Sequence, residues 1–489
     1  MASASGNQQV DRVFQVETEG IGIIAPAHRH GHPRELFFVW FAAVLTFTGV
    51  VIGQLLTALG LDVAQALGVA LLCSLSFAIL GWVAASGPRA GTVTLTISRA
   101  AFGVRGNAVP ALLSWLSAVG WEAVTMVLTV FALLSLSQLA GGPSGGVAAT
   151  AAALVVTIAL TYIVPLFGHA TVVAMQRVLA YALAVSGILV LVAVLPHVNW
   201  HYAPPPKDLA AKGVVPTVLL ALSIGLASTV WGWTNFAADY SRYLPASTRP
   251  GPVVVYTLLG GGIASFVVMG LGILLGTFIN PQAYAKDPVL AIAHAVPAWA
   301  VVPFLVVVIL GDITANYLNS YSSGMSFLSL NIPLRRYQAV LVDATIATLV
   351  SLYALFVSPG FQNFMENFLS LNVIVIGPWT AVYLVQHWAS RGRYDAPALV
   401  DRTPASRYWY AGGVHWGALA ALFAGAFAAF WTVNSALWVS PLSPRWFAGA
   451  DLSAYVGPLV GGLLYFAALR LGRRAAALAP ALEEAPGQG

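Results

Sequence analysis

Three stretches of this chain set polar and aromatic side chains inside runs that are otherwise apolar. One reads Ala227-Ser228-Thr229-Val230-Trp231-Gly232-Trp233-Thr234-Asn235 and continues through Asp239-Tyr240-Ser241-Arg242-Tyr243-Leu244-Pro245. Trp233 beside Gly232 puts a flat indole next to exposed backbone, a pairing suited to stacking on a planar heterocycle and hydrogen-bonding its edge. Trp231 is read as packing or as part of the headgroup belt where indoles collect. A second stretch, Gly120-Trp121-Glu122-Ala123-Val124-Thr125, places Trp121 and Thr125 on one helix face with Glu122 on its edge. Glu122 has two readings: a protonated carboxyl bonded to a neighbouring helix, or a substrate ligand or proton carrier. In the third, Gly311 to Ser323, residues Asp312, Asn316, Asn319 and Ser323 recur at helical spacing and form one polar stripe. Such a stripe must look into the protein, whether to bond a neighbouring helix or to line a site.

These stretches sit in a chain of 489 residues that is 59% hydrophobic and 8% charged, a balance that describes a polytopic membrane protein. The single cysteine, Cys73, excludes a disulfide framework and a cysteine-based metal site. The first 34 residues are polar and lack the apolar core of a cleavable signal. Apolar runs long enough to cross a bilayer fall at 36–59, 62–86, 108–139, 147–167, 175–196, 214–237, 252–279, 298–328, 337–358, 362–388, 409–433 and 452–471. With both termini in the cytoplasm, all of the 22 Lys and Arg residues except Lys207, Lys212, Lys286 and Arg445 lie inside, as the positive-inside rule requires. The expected location is the plasma (cytoplasmic) membrane.

The connector 390–406 separates ten spans from the last two. Five is odd, so the ten divide into halves of opposite topology: spans one to five over 36–196 and six to ten over 214–388. The accessory pair takes 409–471, and the tails are 1–35 and 472–489. Spans one and six then correspond, and both are interrupted, by Thr46, Thr48, Gly49 and Gly53 in the first and by Gly225, Ser228, Thr229 and Gly232 in the sixth. Paired interruptions point to a transporter's binding site, because a helix broken at membrane depth must line a cavity or be buried in protein. The fold class is all-α, with twelve transmembrane helices, a five-plus-five inverted-repeat core and discontinuous helices one and six.

Other polar residues are assigned structural or weaker parts. Asp343, Thr345 and Thr348 in span nine are read as structural, with Asp343 pairing with Arg335 or Arg336. Asp239 and Arg242 suggest a local ion pair or gate tie. His28, His30 and His32 could bind a metal, although histidines in a solvated tail more often bind nothing specific. His169, His294, His387 and His415 carry little signal. No P-loop, nucleophile elbow or HExxH is present, so the chain reads as a non-enzyme without a cofactor.

On four stretches the chain resembles the nucleobase-cation symport family in its purine-cytosine permease and hydantoin permease branches. They are Trp40-Phe41-Ala42-Ala43 with Gly49 and Gly53; Ser98-Arg99-Ala100-Ala101-Phe102-Gly103-Val104-Arg105-Gly106-Asn107; Gly232-Trp233 with Ala237-Ala238-Asp239-Tyr240-Ser241-Arg242-Tyr243-Leu244-Pro245; and Asn316 with Tyr321-Ser322. The resemblance runs from about residue 12 to residue 430. It implies a LeuT-like core working by alternating access, with a planar heterocycle held between Trp121 and Trp233. Edge contacts would come from Thr46, Thr125, the Gly232 backbone and Asn316, with Asn319 or Ser320 one turn on. A Na+ site would use the carbonyls of Ala42, Leu45 and Gly311 and hydroxyls at 314 and 315. Position 315 is Ala, which leaves Thr314 alone and the oxygen shell short. Thr125 and Val44 stand where relatives often have amides.

The expectation is a secondary active symporter for a nucleobase or related flat heterocycle, coupled to H+ or Na+, with Glu122 and Asp312 as proton carriers if H+. Its partners are that substrate and the lipid bilayer, with no nucleic acid and no obligate protein partner. Alternatives are a carrier of hydantoin, allantoin or a vitamin-like ring, a non-transporting receptor, and a channel. A channel would show a continuous polar lining, whereas these polar residues cluster at mid-depth.

Overall fold

The computed structural model describes residues 11–204, 211–332, 334–358, 361–435 and 438–483. Lys207 and the ends of both tails lie outside them, as do the side chains of Lys286, Arg473 and Arg474. Among the described residues the regular structure is helical, with two isolated bridges, Ala411–Val414 and Asn434–Val439. Ten helices are long and apolar enough to cross a membrane, and the pair Glu35–Val44 and Phe47–Ala58, bent by 59°, makes an eleventh span. A shorter apolar helix, Trp416–Phe430, lies on the eleventh expected segment. It is shorter than 409–433 because Gly412 and Gly413 take positive φ and turn the chain before His415 caps the Ala418 amide. Span five starts at His169, earlier than expected, because Gly168 at φ 113° ends span four and opens the next helix directly.

Span one breaks where Leu45 and Thr46 leave helical geometry, at φ, ψ of −76°, 66° and −114°, 158°. The Thr46 amide turns to Val44 O at 2.8 Å, which frees the Ala42 carbonyl for a donor from another helix. Span six winds regularly to Ser228, loses helical geometry at Thr229 (φ −100°, ψ −101°), makes one turn over Val230–Trp233 and continues as 3-10 turns over Thr234–Tyr240. Its break thus begins before Gly232, at a β-branched residue whose hydroxyl bonds back to Gly225 O at 2.9 Å. Of the two interrupted spans, only span one bends by more than 40°.

Span seven, Pro250–Gly276, holds the second half of span one, Phe47–Ala58, by backbone contact. A Cβ on Gly53 would lie 2.0 Å from Met269 O, and one on Gly272 would lie 2.0 Å from Val50 O. Without a hydrophobic drive between helices in lipid, such close approach is what packs them. Spans eleven and twelve pack against each other and against span ten.

The Gly53→Ala variant is expected to lose ~1–3 kcal/mol or more through overpacking. Gly68→Ala, with nothing within 4 Å of the added methyl, is the matched control. Thermal unfolding in detergent should show a lowered midpoint for the first variant and none for the second.

Candidate functional site

The breaks in spans one and six open on a common cavity. Its walls are Ala43, Val44, Thr46, Thr48 and Gly49 from span one, Trp121 and Thr125 from span three and Ser228, Thr229 and Trp233 from span six. Ser265, Val268 and Met269 of span seven and Ala315 and Asn319 of span eight complete it. It encloses about 450 Å³ of empty space, its mouth included. Another cavity, of about 400 Å³, lies between the outer half of span six, span ten and the loop before span twelve, but of the interrupted stretch only Ala227 reaches it.

Both indoles are placed by their neighbours. The ring of Trp121 lies against Gly232, where an added Cβ would be 3.1 Å from its Cζ2, and meets Phe368 edge-on at 5.0 Å. Trp233 meets Trp40 edge-on at 5.8 Å. Polar atoms around these rings are left without partners: Trp121 Nε1, Thr48 Oγ1 and Asn319 Oδ1 are buried and unbonded. Two can donate and two can accept, the complement of a heterocycle edge.

The polar stripe of span eight divides its work. Asn316 does not line the cavity; its Oδ1 accepts from Thr125 Oγ1 at 2.6 Å and from Asn319 Nδ2 at 3.2 Å. It positions the two side chains that do face the cavity. Ser320 is buried with its hydroxyl unbonded and lies off the wall. Glu122 also lies off the wall: its Oε2 accepts from Tyr162 of span four, so the helix-bonding alternative describes its contacts. Asp312 is fully buried, and the group facing its carboxyl is the Phe47 amide, which stops short of hydrogen-bond geometry.

Beside the cavity the oxygens expected for a cation do gather. Thr314 Oγ1 lies 2.9 Å from Ala42 O and 2.7 Å from Gly311 O, and a Cβ on Gly311 would be 2.5 Å from Leu45 O. Gln176 of span five, which the sequence patterns did not single out, donates to Thr314 O at 2.7 Å, while its buried Oε1 is unbonded. A lone amide in an apolar span is the signal that could have found it. The tail histidines do not converge: His32 Nδ1 accepts from the Arg34 amide and His30 faces Asp11 at 3.7 Å. Among the described residues no group of three His, Cys, Asp or Glu could hold a metal.

Two expected ion pairs are replaced. Asp239 bonds the Thr94 amide at 2.8 Å and its hydroxyl at 2.7 Å, tying span six to the loop between spans two and three, while Arg242 pairs with Glu17 at 2.5 Å. Asp343 accepts from Trp115 at 3.1 Å and from Ser323, whereas Arg336 caps the carbonyls of Pro165 and Leu166. Sequence proximity suggested both pairs, but each arginine turns to acceptors distant in the chain.

The N-terminal tail is therefore packed into the core at the ends of spans five, six and eight. Glu17 Oε1 accepts from Arg242, from Tyr243 at 2.8 Å and from Tyr321 at 3.1 Å, and Oε2 accepts from the His169 amide at 3.0 Å. Asp11 bonds the His169 ring at 2.8 Å. Burial pushes the Glu17 carboxyl up, but the Arg242 and Arg336 guanidiniums and His169 outweigh it and leave it below the usual carboxylate range. Asp11 is lowered too, burial being outweighed by its bonds to His169 and His30.

A chain that interrupts its first and sixth spans beside a shared mid-depth cavity has the build of a secondary transporter with a LeuT-like fold. The chain belongs to the family described as permeases for cytosine/purines, uracil, thiamine and allantoin, which matches it over residues 23–460. It is 28% identical over 94% of its length, and 98% of the relative's, to the "Putative purine-cytosine permease YxlA" of Bacillus subtilis (strain 168). It is 24% identical to the purine-cytosine permease FCY2 of Saccharomyces cerevisiae (strain ATCC 204508 / S288c) over 74% of this chain and 69% of that one. In three dimensions it is similar to Mhp1, a nucleobase-cation-symport-1 family transporter, closed with bromovinylhydantoin bound: TM-score 0.74, 19% identity, 93% of this chain and 96% of that one. Against inward-facing Mhp1 the TM-score is 0.69 at 18% identity, covering 95% and 96%.

Removing one partner of the buried Glu17–Arg242 pair should cost about 3–5 kcal/mol and removing both should cost less, because the remaining charge is no longer stranded. Thermal midpoints of Arg242→Met, Glu17→Gln and the double variant test this; a double variant as unstable as the two singles summed contradicts it. Because Glu17 is lowered on folding, its contribution is complete above the ordinary glutamate value and is lost as pH falls through the lowered one. The wild-type midpoint should drop with acid in that window, and the drop should shrink in Glu17→Gln.

Proposed function

We propose that the chain is a cation-coupled symporter that moves a flat nitrogen heterocycle of the nucleobase type across the cytoplasmic membrane by alternating access. Both termini face the cytoplasm in this reading. The observation that carries it is the cavity at the paired helix breaks, where Trp121 and Trp233 stand beside the unbonded Trp121 Nε1, Thr48 Oγ1 and Asn319 Oδ1. The rings accept a π-face and the polar atoms read its edge, so analogues lacking the edge groups leave buried atoms unpaired and are rejected. The names of the two relatives, purine-cytosine permeases, favour a base, and the bromovinylhydantoin bound to Mhp1 makes a hydantoin the second reading.

For substrate to pass on the side of the tail, the tail's contacts with Arg242, Tyr243 and Tyr321 must part. The coupling ion is H+ in the leading reading, because Ala315 supplies no oxygen while Glu122 and Asp312 are acids within the membrane. The oxygens of Ala42, Leu45, Gly311 and Thr314 favour Na+ as the second, and Gln176 stands beside Thr314.

Trp233→Ala and Asn316→Ala should each abolish uptake while the protein stays in the membrane, and Asn319→Ala should weaken binding by roughly ten- to a hundredfold, the worth of a buried unpaired polar group. Counterflow of radiolabelled adenine, cytosine or hydantoin in proteoliposomes, with unlabelled purines, pyrimidines and hydantoins as competitors, measures this. Unchanged uptake by Trp233→Ala and Asn316→Ala, or no counterflow of any panel member by wild type, refutes the reading. Uptake in sodium-free buffer with and without a protonophore decides the ion.

A further inference from the structure

Glu122 and Asp343 come from spans three and nine, and their carboxyls are within hydrogen-bonding reach of each other. Each spends one oxygen on other donors: Glu122 Oε2 accepts from Tyr162 of span four, and Asp343 Oδ1 accepts from Trp115 at 3.1 Å and from Ser323 of span eight. The other two oxygens, Glu122 Oε1 and Asp343 Oδ2, are buried with no N–H or O–H donor. Both residues are fully buried. The titratable group facing them is Tyr162, and among the described residues no Lys, Arg or His forms an ion pair with either.

Two carboxylates in contact at membrane depth without a counter-ion are too costly to keep. A single proton between Glu122 Oε1 and Asp343 Oδ2 turns two opposed acceptors into a donor and an acceptor and satisfies both. We propose that Glu122 and Asp343 share one exchangeable proton and together form the proton-coupling site of this transporter. The inference rests on the symporter reading above and adds to it Asp343, whose partner sequence proximity misassigned. Only O–H bonds change: one breaks in water on one side as one forms on a carboxyl of the pair, and release breaks that bond and returns the proton to water on the other side, leaving the pair as it began.

The pair is connected to the cavity by one helix. Glu122 follows Trp121 and precedes Thr125 by three residues, and both of those line the cavity. Asn316 places its Nδ2 3.4 Å from the Glu122 carbonyl. A substrate that shifts span three against span eight, whose Ser323 holds Asp343 of span nine, therefore shifts Glu122 against Asp343. Opening that wets the pair releases the proton, since water removes the cost of two facing charges.

The test uses the full chain in proteoliposomes with pyranine trapped inside, with the panel heterocycle that counterflow selects. Wild type is expected to acidify the lumen when substrate enters and to accumulate it under an inside-alkaline gradient in sodium-free buffer, more strongly as external pH falls. Glu122→Gln and Asp343→Asn should continue counterflow at a measurable rate but lose gradient-driven accumulation tenfold or more, with a flattened pH profile. Should either variant fail to fold, infrared difference spectra of detergent-purified wild type and Asp343→Glu serve instead, with a protonated-carboxyl band that responds to substrate and shifts in the variant. Substrate-linked acidification surviving in either variant, wild-type counterflow without acidification, or a band unmoved by substrate or by Asp343→Glu overturns the proposal. Wild type without counterflow fails the transporter reading itself, a separate outcome.

Discussion

Lipid offers no hydrogen bonds, so every backbone group freed at a helix break must find a partner inside the protein. The Ala42 carbonyl, released when the Thr46 amide turns to Val44, finds the Thr314 hydroxyl. The Trp231 carbonyl in span six finds Asn372 of span ten at 3.1 Å. The interrupted spans can exist only because spans eight and ten bring hydroxyl and amide groups to the same depth. That requirement locates the cavity, since the groups that repair the backbone also furnish its polar surroundings. Asn316 shows the same economy: a residue outside the wall fixes both Thr125 and Asn319 within reach of it.

The end of the bundle where the tail packs obeys a different constraint, the burial of charge. Arg242 and Arg336 are buried after the end of span six and at the start of span nine, and a guanidinium there needs a carboxylate and carbonyls. The tail supplies Glu17 to both, with Gly20 O bonding Arg242 at 2.6 Å. A segment that read as a solvated tail is thus part of the packed protein. The Ser98 to Asn107 loop is similarly built in, with Arg99 bonding Leu399 O at 2.9 Å and Asn331 at 2.7 Å, and Asn107 bonding Leu95 O at 2.6 Å.

What the sequence made legible follows from these physics. Apolar run length revealed the spans, and Thr46, Thr229 and Gly232 revealed the breaks, because both signals are local. Trp121, Trp233, Thr125, Thr46 and Asn319 were legible as cavity residues through the family motif and helical spacing. The direction of Glu122 was not, since one residue's step around a helix turns a side chain by about 100° and carries it to another neighbour. Asp343 and Arg242 were given nearby partners because sequence offers only nearby ones; Glu17 lies more than two hundred residues from Arg242. Span eleven was drawn too long because hydropathy does not register the turn at Gly412 and Gly413.

The glycine contacts of span seven have a mechanical consequence. With Gly53 and Gly272 pressed onto backbone carbonyls, the second half of span one cannot slide along span seven, and the two must travel as one lever. Its fulcrum is the pair Leu45 and Thr46, where the helix is already unwound. Thr46 is also a wall residue, so each swing about that fulcrum redraws the shape of the chamber beside it.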